Sequence, residues 1–185
     1  ITGPIAVRGA RRGMLLRVDI LALEPGPHGF NLLSTGPRSR GLLADEFAQG
    51  ELRHFRLDTE RMCTEFLPGL EVPLSPFLGI MGVAPREEGP HPSPVPGDFG
   101  GNIDCPELVA GTTLFLPVWQ DGALFYAGDA HAVQGCGEVD QTALETTMKR
   151  ARLRLSLGDE RRLERPHALT PGHLVTLGFH ADLRE

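Results

Sequence analysis

Glycine and proline interrupt this chain too often for long helices to run through it: 23 glycines and 16 prolines stand among 185 residues. That is about a fifth of the chain, against roughly 12% in average proteins. Proline gives up a backbone donor and fixes φ, and glycine reaches conformations other residues avoid, so both favour short strands joined by turns. Between the interruptions, apolar residues alternate with polar ones. In Arg152-Leu153-Arg154-Leu155-Ser156-Leu157 the leucines take one face, the pattern of a half-buried strand. From Met14 to Glu24, Leu16, Val18, Ile20 and Ala22 share a face, and the strand is expected to end at Pro25-Gly26-Pro27. Ile5–Val7, Leu52–Leu57, Thr113–Val118, Ala123–Ala127 and Leu174–Gly178 are further short strand candidates, each bounded by Gly, Pro or Asp. The stretch Glu138–Arg150 reads as strand because Thr142, Leu144, Thr146 and Met148 alternate and threonine prefers strands. Pro106–Ala110 has room for one helical turn. The spacing suggests an all-β sandwich or barrel.

Residues 84–99 carry five prolines and read as an extended loop, dividing a β-rich part at 1–83 from a second at 100–185. The two parts make either small separate units or one intertwined domain, as the length allows. Eighteen basic residues against 24 acidic leave a formal charge of −6, so no net positive field draws the chain to phosphate. Nucleic acid and membrane are therefore not expected as partners. No apolar run approaches the roughly 20 residues that span a bilayer. Three widely spaced cysteines, Cys63, Cys105 and Cys136, fit a reducing compartment, the cytoplasm by default. The sequence opens on Ile1 and closes on Ala181-Asp182-Leu183-Arg184-Glu185, which reads as a fragment, a processed piece, or the ordered part of a longer chain.

The densest set of metal-competent groups is Gly128-Asp129-Ala130-His131-Ala132-Val133-Gln134-Gly135-Cys136-Gly137-Glu138. On a strand, Asp129 and His131 point to one face about 6.6–6.8 Å apart, within reach of a shared cation. Gly135 and Gly137 let the backbone turn, so that Gln134 and Glu138 can come back to the same point. Carboxylate with imidazole suits Zn²⁺; carboxylate with amide oxygen suits a harder ion such as Ca²⁺ or Mg²⁺. An isolated Asp-x-His is more often a hydrogen-bonded pair without metal. A second cluster, Gly97-Asp98-Phe99-Gly100-Gly101-Asn102-Ile103-Asp104, pairs glycines that permit close approach to a ligand with Asn102 and Asp104 on one face, although Gly-Gly-Asn is also an ordinary turn. His28, in Pro25-Gly26-Pro27-His28-Gly29, sits where the strand from Met14 is expected to end. Cys136 near His131 permits a Cys–His nucleophile in principle, but nothing local supplies an orienting group.

Taken in order, several segments resemble the acetamidase/formamidase family, metal-associated hydrolases of short amides. They are Thr2-Gly3-Pro4-Ile5, Phe77-Leu78-Gly79-Ile80-Met81-Gly82-Val83-Ala84-Pro85, Gly100-Gly101-Asn102-Ile103-Asp104 and Gly111-Thr112-Thr113-Leu114-Phe115-Leu116-Pro117-Val118. Gly122-Ala123-Leu124-Phe125, Gly128-Asp129-Ala130-His131-Ala132, Gln134-Gly135 and Thr170-Pro171-Gly172-His173 continue the match. The resemblance implies a mainly β fold, jelly-roll-like sandwich plus barrel-like parts, and hydrolysis of a formamide- or acetamide-type substrate with a divalent cation, most simply Zn²⁺. By the same resemblance Asp104, Asp129, His131, His28 and Gln134 are the ligand candidates, Glu138 and Asp129 the catalytic pair with Glu145 as substitute base, and Gly101 and Asn102 the substrate contacts. A homo-oligomer is expected. Two departures stand out: family members are usually much longer, and they carry an acid where Cys136 lies between its two glycines. The competing reading is an altered, non-catalytic relative that binds small amides or serves as a structural piece of a larger assembly.

Overall fold

The computed structural model describes residues 1–35, 39, 41–43, 45–47, 49–158 and 164–179. The closing Ala181-Asp182-Leu183-Arg184-Glu185 lies outside the described residues. Strands dominate: β1 (Thr2–Ile5), β2 (Leu15–Leu33), β3 (Glu51–Arg56), β4 (Cys63–Leu67), β5 (Leu70–Pro73), β6 (Phe77–Gly82), β7 (Gly100–Asn102), β8 (Thr113–Pro117), β9 (Phe125–Val133), β10 (Leu144–Gly158), β11 (His167–Leu169) and β12 (Leu174–Thr176). The helical element among the described residues is the 3₁₀ segment Cys136–Gln141, and no helix there is long and apolar enough to cross a membrane. Ten strands form one sheet in the order β12-β11-β8-β2-β10-β9-β6-β7, with β1 on β9 and β3 on β2; β4 and β5 make a separate hairpin. The large sheet curls into a half-barrel. Strands from both sides of the 84–99 loop lie side by side in it, β8 next to β2 and β2 next to β10.

The core follows from the alternation. Leu16, Val18, Leu114, Leu116, Met81 and Phe77 have no exposed surface and pack inside the curl. Arg152 pairs with Ala22 and Leu153 with Ile20, so Leu21 is one residue too many for the partner strand. This bulge reverses the alternation, and Leu23 is buried where the unbroken period would have placed Ala22.

The structure corrects several strand limits. β2 does not stop at Pro25-Gly26-Pro27 but runs on to Leu33. Thr146 pairs with Gly29 and Met148 with Pro25, so β2 spends extra residues there, and the prolines sit in an irregular ladder where their missing donors are tolerated. The strand read over Glu138–Arg150 begins only at Leu144, because Gly137, Glu138, Asp140 and Gln141 all take positive φ. The Ala123–Ala127 candidate is also shifted: Ala123 and Leu124 have positive φ, and β9 starts at Phe125 and continues through Asp129 and His131. Pro106 and Glu107 form a turn rather than helix. The β4–β5 hairpin, β6, β7 and β11 carry too few alternating residues to be read from the sequence as strands.

Candidate active site

Four neighbouring strands and one turn build the site. β6 pairs with β7 on one side and β9 on the other, and β9 pairs with β10. Leu78 lies opposite Ala130 and Ile80 opposite Gly128, which sets Asp129 across from Gly79. Beyond β7 the chain turns at Asp104, whose φ is 47° and whose backbone N–H donates to the Gly79 carbonyl at 3.1 Å. Asp129 too adopts positive φ, 58°, so its carboxylate reaches the imidazole by a kink and not by plain strand alternation. Its Oδ2 stands 3.6 Å from His131 Nε2, and Glu145 Oε1, from β10, stands 3.2 Å from the same nitrogen. Ligand atoms of Asp104, Asp129 and His131 lie within 4.8 Å of one another, as do those of His131, Glu138 and Glu145. His131, wholly buried and edge-on to Phe77 at 4.9 Å, belongs to both groups.

Hydrogen bonds fix which nitrogen of His131 faces the acids. Gln134 donates its amide N–H to the Asp104 carbonyl at 2.9 Å, leaving its Oε1 to accept from His131 Nδ1 at 2.8 Å. Nδ1 therefore carries a hydrogen, and in the neutral ring Nε2 presents its lone pair. Despite the carboxylates beside it, Nε2 has no aligned hydrogen-bond partner, and neither has buried Asp104 Oδ1. Asp104 Oδ2 is satisfied by Asn102 Nδ2 at 2.6 Å. A proton or a cation is what those two atoms lack.

Electrostatics give the same account. Burial, then the charges of Glu138 and Asp129, push Asp104 up to about 7. Burial also raises Glu138, with Glu145 and Asp129 adding to it while His131 opposes. For His131 burial opposes the charged form, yet the carboxylates of Asp129 and Glu145 outweigh it and push the ring up to about 10. Crowded acids around one imidazole retain protons unless a cation replaces them.

Gly79 supplies the room. A Cβ there would stand 2.7 Å from Asp129 Oδ2, closer still to Asp104 Oδ1, and 3.2 Å from His131 Cε1. Two unpartnered buried ligand atoms, a cradle that one methyl would fill, and a set of carboxylates with one imidazole fit a divalent cation.

Of the residues expected to serve the site, the fold brings Asp104, Asp129, His131, Gln134 and Glu138 together, with Asn102 bonded to Asp104. Gln134 braces the imidazole through its oxygen, so that oxygen is turned to Nδ1 and not to a cation. Gly101 is buried on β7 at φ 93°, paired with Met81. His28 is a correction: it is exposed on the irregular stretch of β2 and belongs to neither ligand group, because the strand runs on past Pro25-Gly26-Pro27, where its end was expected. Cys136 is exposed and free at the start of the 3₁₀ segment. Gly79 was missed as a site residue. A glycine inside the apolar run Phe77-Leu78-Gly79-Ile80-Met81 is the available signal, since strand glycines mark close approach.

Comparison with known proteins adds an independent finding. The model of the acetamidase/formamidase family matches residues 1–92 and 87–159. A formamidase from Methylophilus methylotrophus is 28% identical over 191 residues, covering 75% of this chain and 46% of the relative. An acetamidase from Mycolicibacterium smegmatis is 24% identical over 197 residues, covering 76% and 48%. The crystal structure of an acetamidase from Bacillus halodurans superposes with a TM-score of 0.83 at 34% identity, over 90% of this chain and 54% of that one. The chain thus spans about half the length of the curated relatives it matches.

Proposed function

Because the chain belongs to the acetamidase/formamidase family, we propose that its site hydrolyses a short-chain amide to a carboxylate and ammonia. The observation that carries this reading is the convergence of Asp104, Asp129, Glu138 and Glu145 on the unpartnered Nε2 of His131, around the cradle at Gly79. Asp104, Asp129 and His131 would hold a divalent cation, Zn²⁺ before Ca²⁺ or Mg²⁺, which when bound polarises a carbonyl and makes water acidic. Gln134 keeps His131 in the tautomer this requires, and Asn102 keeps Asp104 turned inward. Glu138, its carboxyl held above the ordinary carboxylate range by burial, accepts the proton of the water that attacks the amide carbon. As the C–N bond breaks, Glu138 returns that proton to the leaving nitrogen, so ammonia departs and leaves the carboxylic acid, whose own proton passes to the ammonia to give carboxylate and ammonium. A homo-oligomer and a cytoplasmic setting belong to the same reading. The exposed apolar residues Phe30, Leu32 and Leu52 support the first, and three cysteines free of disulfides support the second.

The test is ammonia release from formamide, acetamide and a small cyclic-amide panel, before and after chelation with metal add-back. Release abolished by chelation and restored by one metal establishes the reading. Asp129→Ala should lose turnover by orders of magnitude while keeping its fold. Wild-type protein that is folded, metal-supplemented and inert toward every amide would mark a non-catalytic relative, with Cys136 the first position to restore to an acid.

A further inference from the structure

Glu138 is presented to the acid cluster by a segment that packing does not hold. None of the residues from Cys136 to Gln141 is buried, and Val139, next to Glu138, is 58% exposed. Yet Glu138 and Asp140 take φ of 45° and 63°, a left-handed conformation that costs energy in a residue with a side chain and persists only where its surroundings impose it. β9 and β10, paired through Val133 and Leu144, fix the two ends of the segment. Inside it, Glu138 N–H donates to the Gly135 carbonyl at 3.2 Å, and Thr142 Oγ1 donates to the Val139 carbonyl at 3.0 Å. Both bonds are local and move with the segment, so neither decides which way Glu138 faces. The Asp140 carboxylate reaches outside it. Its Oδ1 accepts the backbone N–H of Leu43 at 2.9 Å, from a turn 97 residues away in the connection between β2 and β3. Gly41, where that turn begins, lies so close that a Cβ there would collide with Asp140 Oδ1 and stand 2.8 Å from Cγ. The carboxylate is thus seated against bare backbone.

We propose that Asp140 is a positioning residue for Glu138: its carboxylate clamps the 3₁₀ segment to the turn at Gly41-Leu42-Leu43 and so holds Glu138 in the conformation that brings it to His131. This rests on the amide-hydrolase reading, in which Glu138 moves the proton. Asp140 is two residues from Glu138, so a rotation of the segment about its strand-held ends displaces both together. Glu138 needs such a restraint. Its carboxylate lies within 4.8 Å of the ligand atoms of His131 and Glu145, and Glu145 and Asp129 act on it with like charge, which favours a swing toward solvent. The clamp uses an acceptor and not a charge. A backbone N–H asks only for an oxygen, so asparagine serves at position 140 where alanine does not.

The experiment measures kcat and KM for formamide and acetamide on the metal-supplemented chain and on its Asp140→Ala, Asp140→Asn and Gly41→Ala variants, with amide hydrogen exchange followed by NMR. Asp140→Ala and Gly41→Ala should each lower kcat about 10–100-fold and leave KM within about twofold, because a displaced Glu138 fails in the chemical step and not in substrate binding. Asp140→Asn should stay within about threefold of wild type, since its amide oxygen accepts the same N–H. The Glu138 amide should exchange about tenfold faster in the two disrupted variants and at the wild-type rate in Asp140→Asn. An unchanged kcat in either disrupted variant, a loss carried wholly by KM, or Asp140→Asn as poor as Asp140→Ala overturns the clamp and leaves the hydrolase reading standing. If the wild type turns over no amide, the hydrolase reading falls and hydrogen exchange decides the clamp. Faster exchange confined to the 3₁₀ segment and the Gly41–Leu43 turn, reversed in Asp140→Asn, supports it; exchange that is unchanged, or raised throughout the sheet, overturns it.

Discussion

A methyl group at Gly79 would stand 2.7 Å from Asp129 Oδ2, in the space the carboxylates face. Gly79→Ala should therefore cut amide turnover at least about 100-fold while far-ultraviolet circular dichroism stays that of the wild type, because the displaced groups are site carboxylates. Gln134→Leu removes both hydrogen bonds of the bridge, orphaning His131 Nδ1–H and the Asp104 carbonyl. We expect a loss of about 1–3 kcal/mol in urea unfolding and zinc affinity weaker by about 10–100-fold in competition titration. The pH dependence has a definite sign. Asp104 is raised from 3.8 to about 7 in the fold, so the folded chain binds more protons across that window and metal-free stability falls as pH rises through it. His131, raised from 6.5 to about 10, contributes stability that is full below 6.5 and is lost as pH rises through the folded value. A bound cation competes with these protons, so melting curves between about pH 5 and 9 should slope downward with chelator and reverse with saturating metal.

Among the elements, β2 and β10 form the longest ladder, and their worth lies in what they bury. Arg150 on β10 pairs with Glu24 on β2 in the open, with side chains 59% and 41% exposed. Arg150→Ala should cost less than about 1 kcal/mol. Leu116 on β8 has no exposed surface, and Leu116→Ala should cost about 2–5 kcal/mol through the cavity left in the curl. Chemical denaturation of both variants checks the contrast. The 3₁₀ segment behaves differently from either strand. Glu138, Asp140 and Gln141 hold positive φ without being glycine, so the element places Glu138 at the site at a cost in backbone energy.

The whole molecule assembles the site from distant pieces. Asp104, the Asp129–His131 pair and Glu145 meet because β7, β6, β9 and β10 are neighbours in one sheet, not because they are close in sequence. The same sheet leaves Phe30, Leu32 and Leu52 exposed on paired positions of β2 and β3, with Leu32 opposite Leu52. Two-fold association through that ribbon would cover them, and sedimentation velocity should show a species larger than the monomer; a clean monomer across the micromolar range removes the expectation.

Much of this was legible beforehand. The alternation in Arg152–Leu157 and Leu16–Ile20 identified strands because a half-buried sheet imposes period 2, and the Asp129-Ala130-His131 spacing singled out two residues whose ligand atoms lie within 4.8 Å of each other. Other features were hidden because their causes are not local. The proline-bearing extension of β2 depends on what β10 offers opposite it, and that decided that His28 faces outward. The left-handed turn at Glu138 depends on how the ends of β9 and β10, paired through Val133 and Leu144, anchor the 3₁₀ segment between them. Residue chemistry alone determined that the chain would be mainly β, with acids and an imidazole clustered near its glycines. Only tertiary structure decided which of them share a point, because register and bulges set where each side chain lies, and no side chain encodes its partner strand's count.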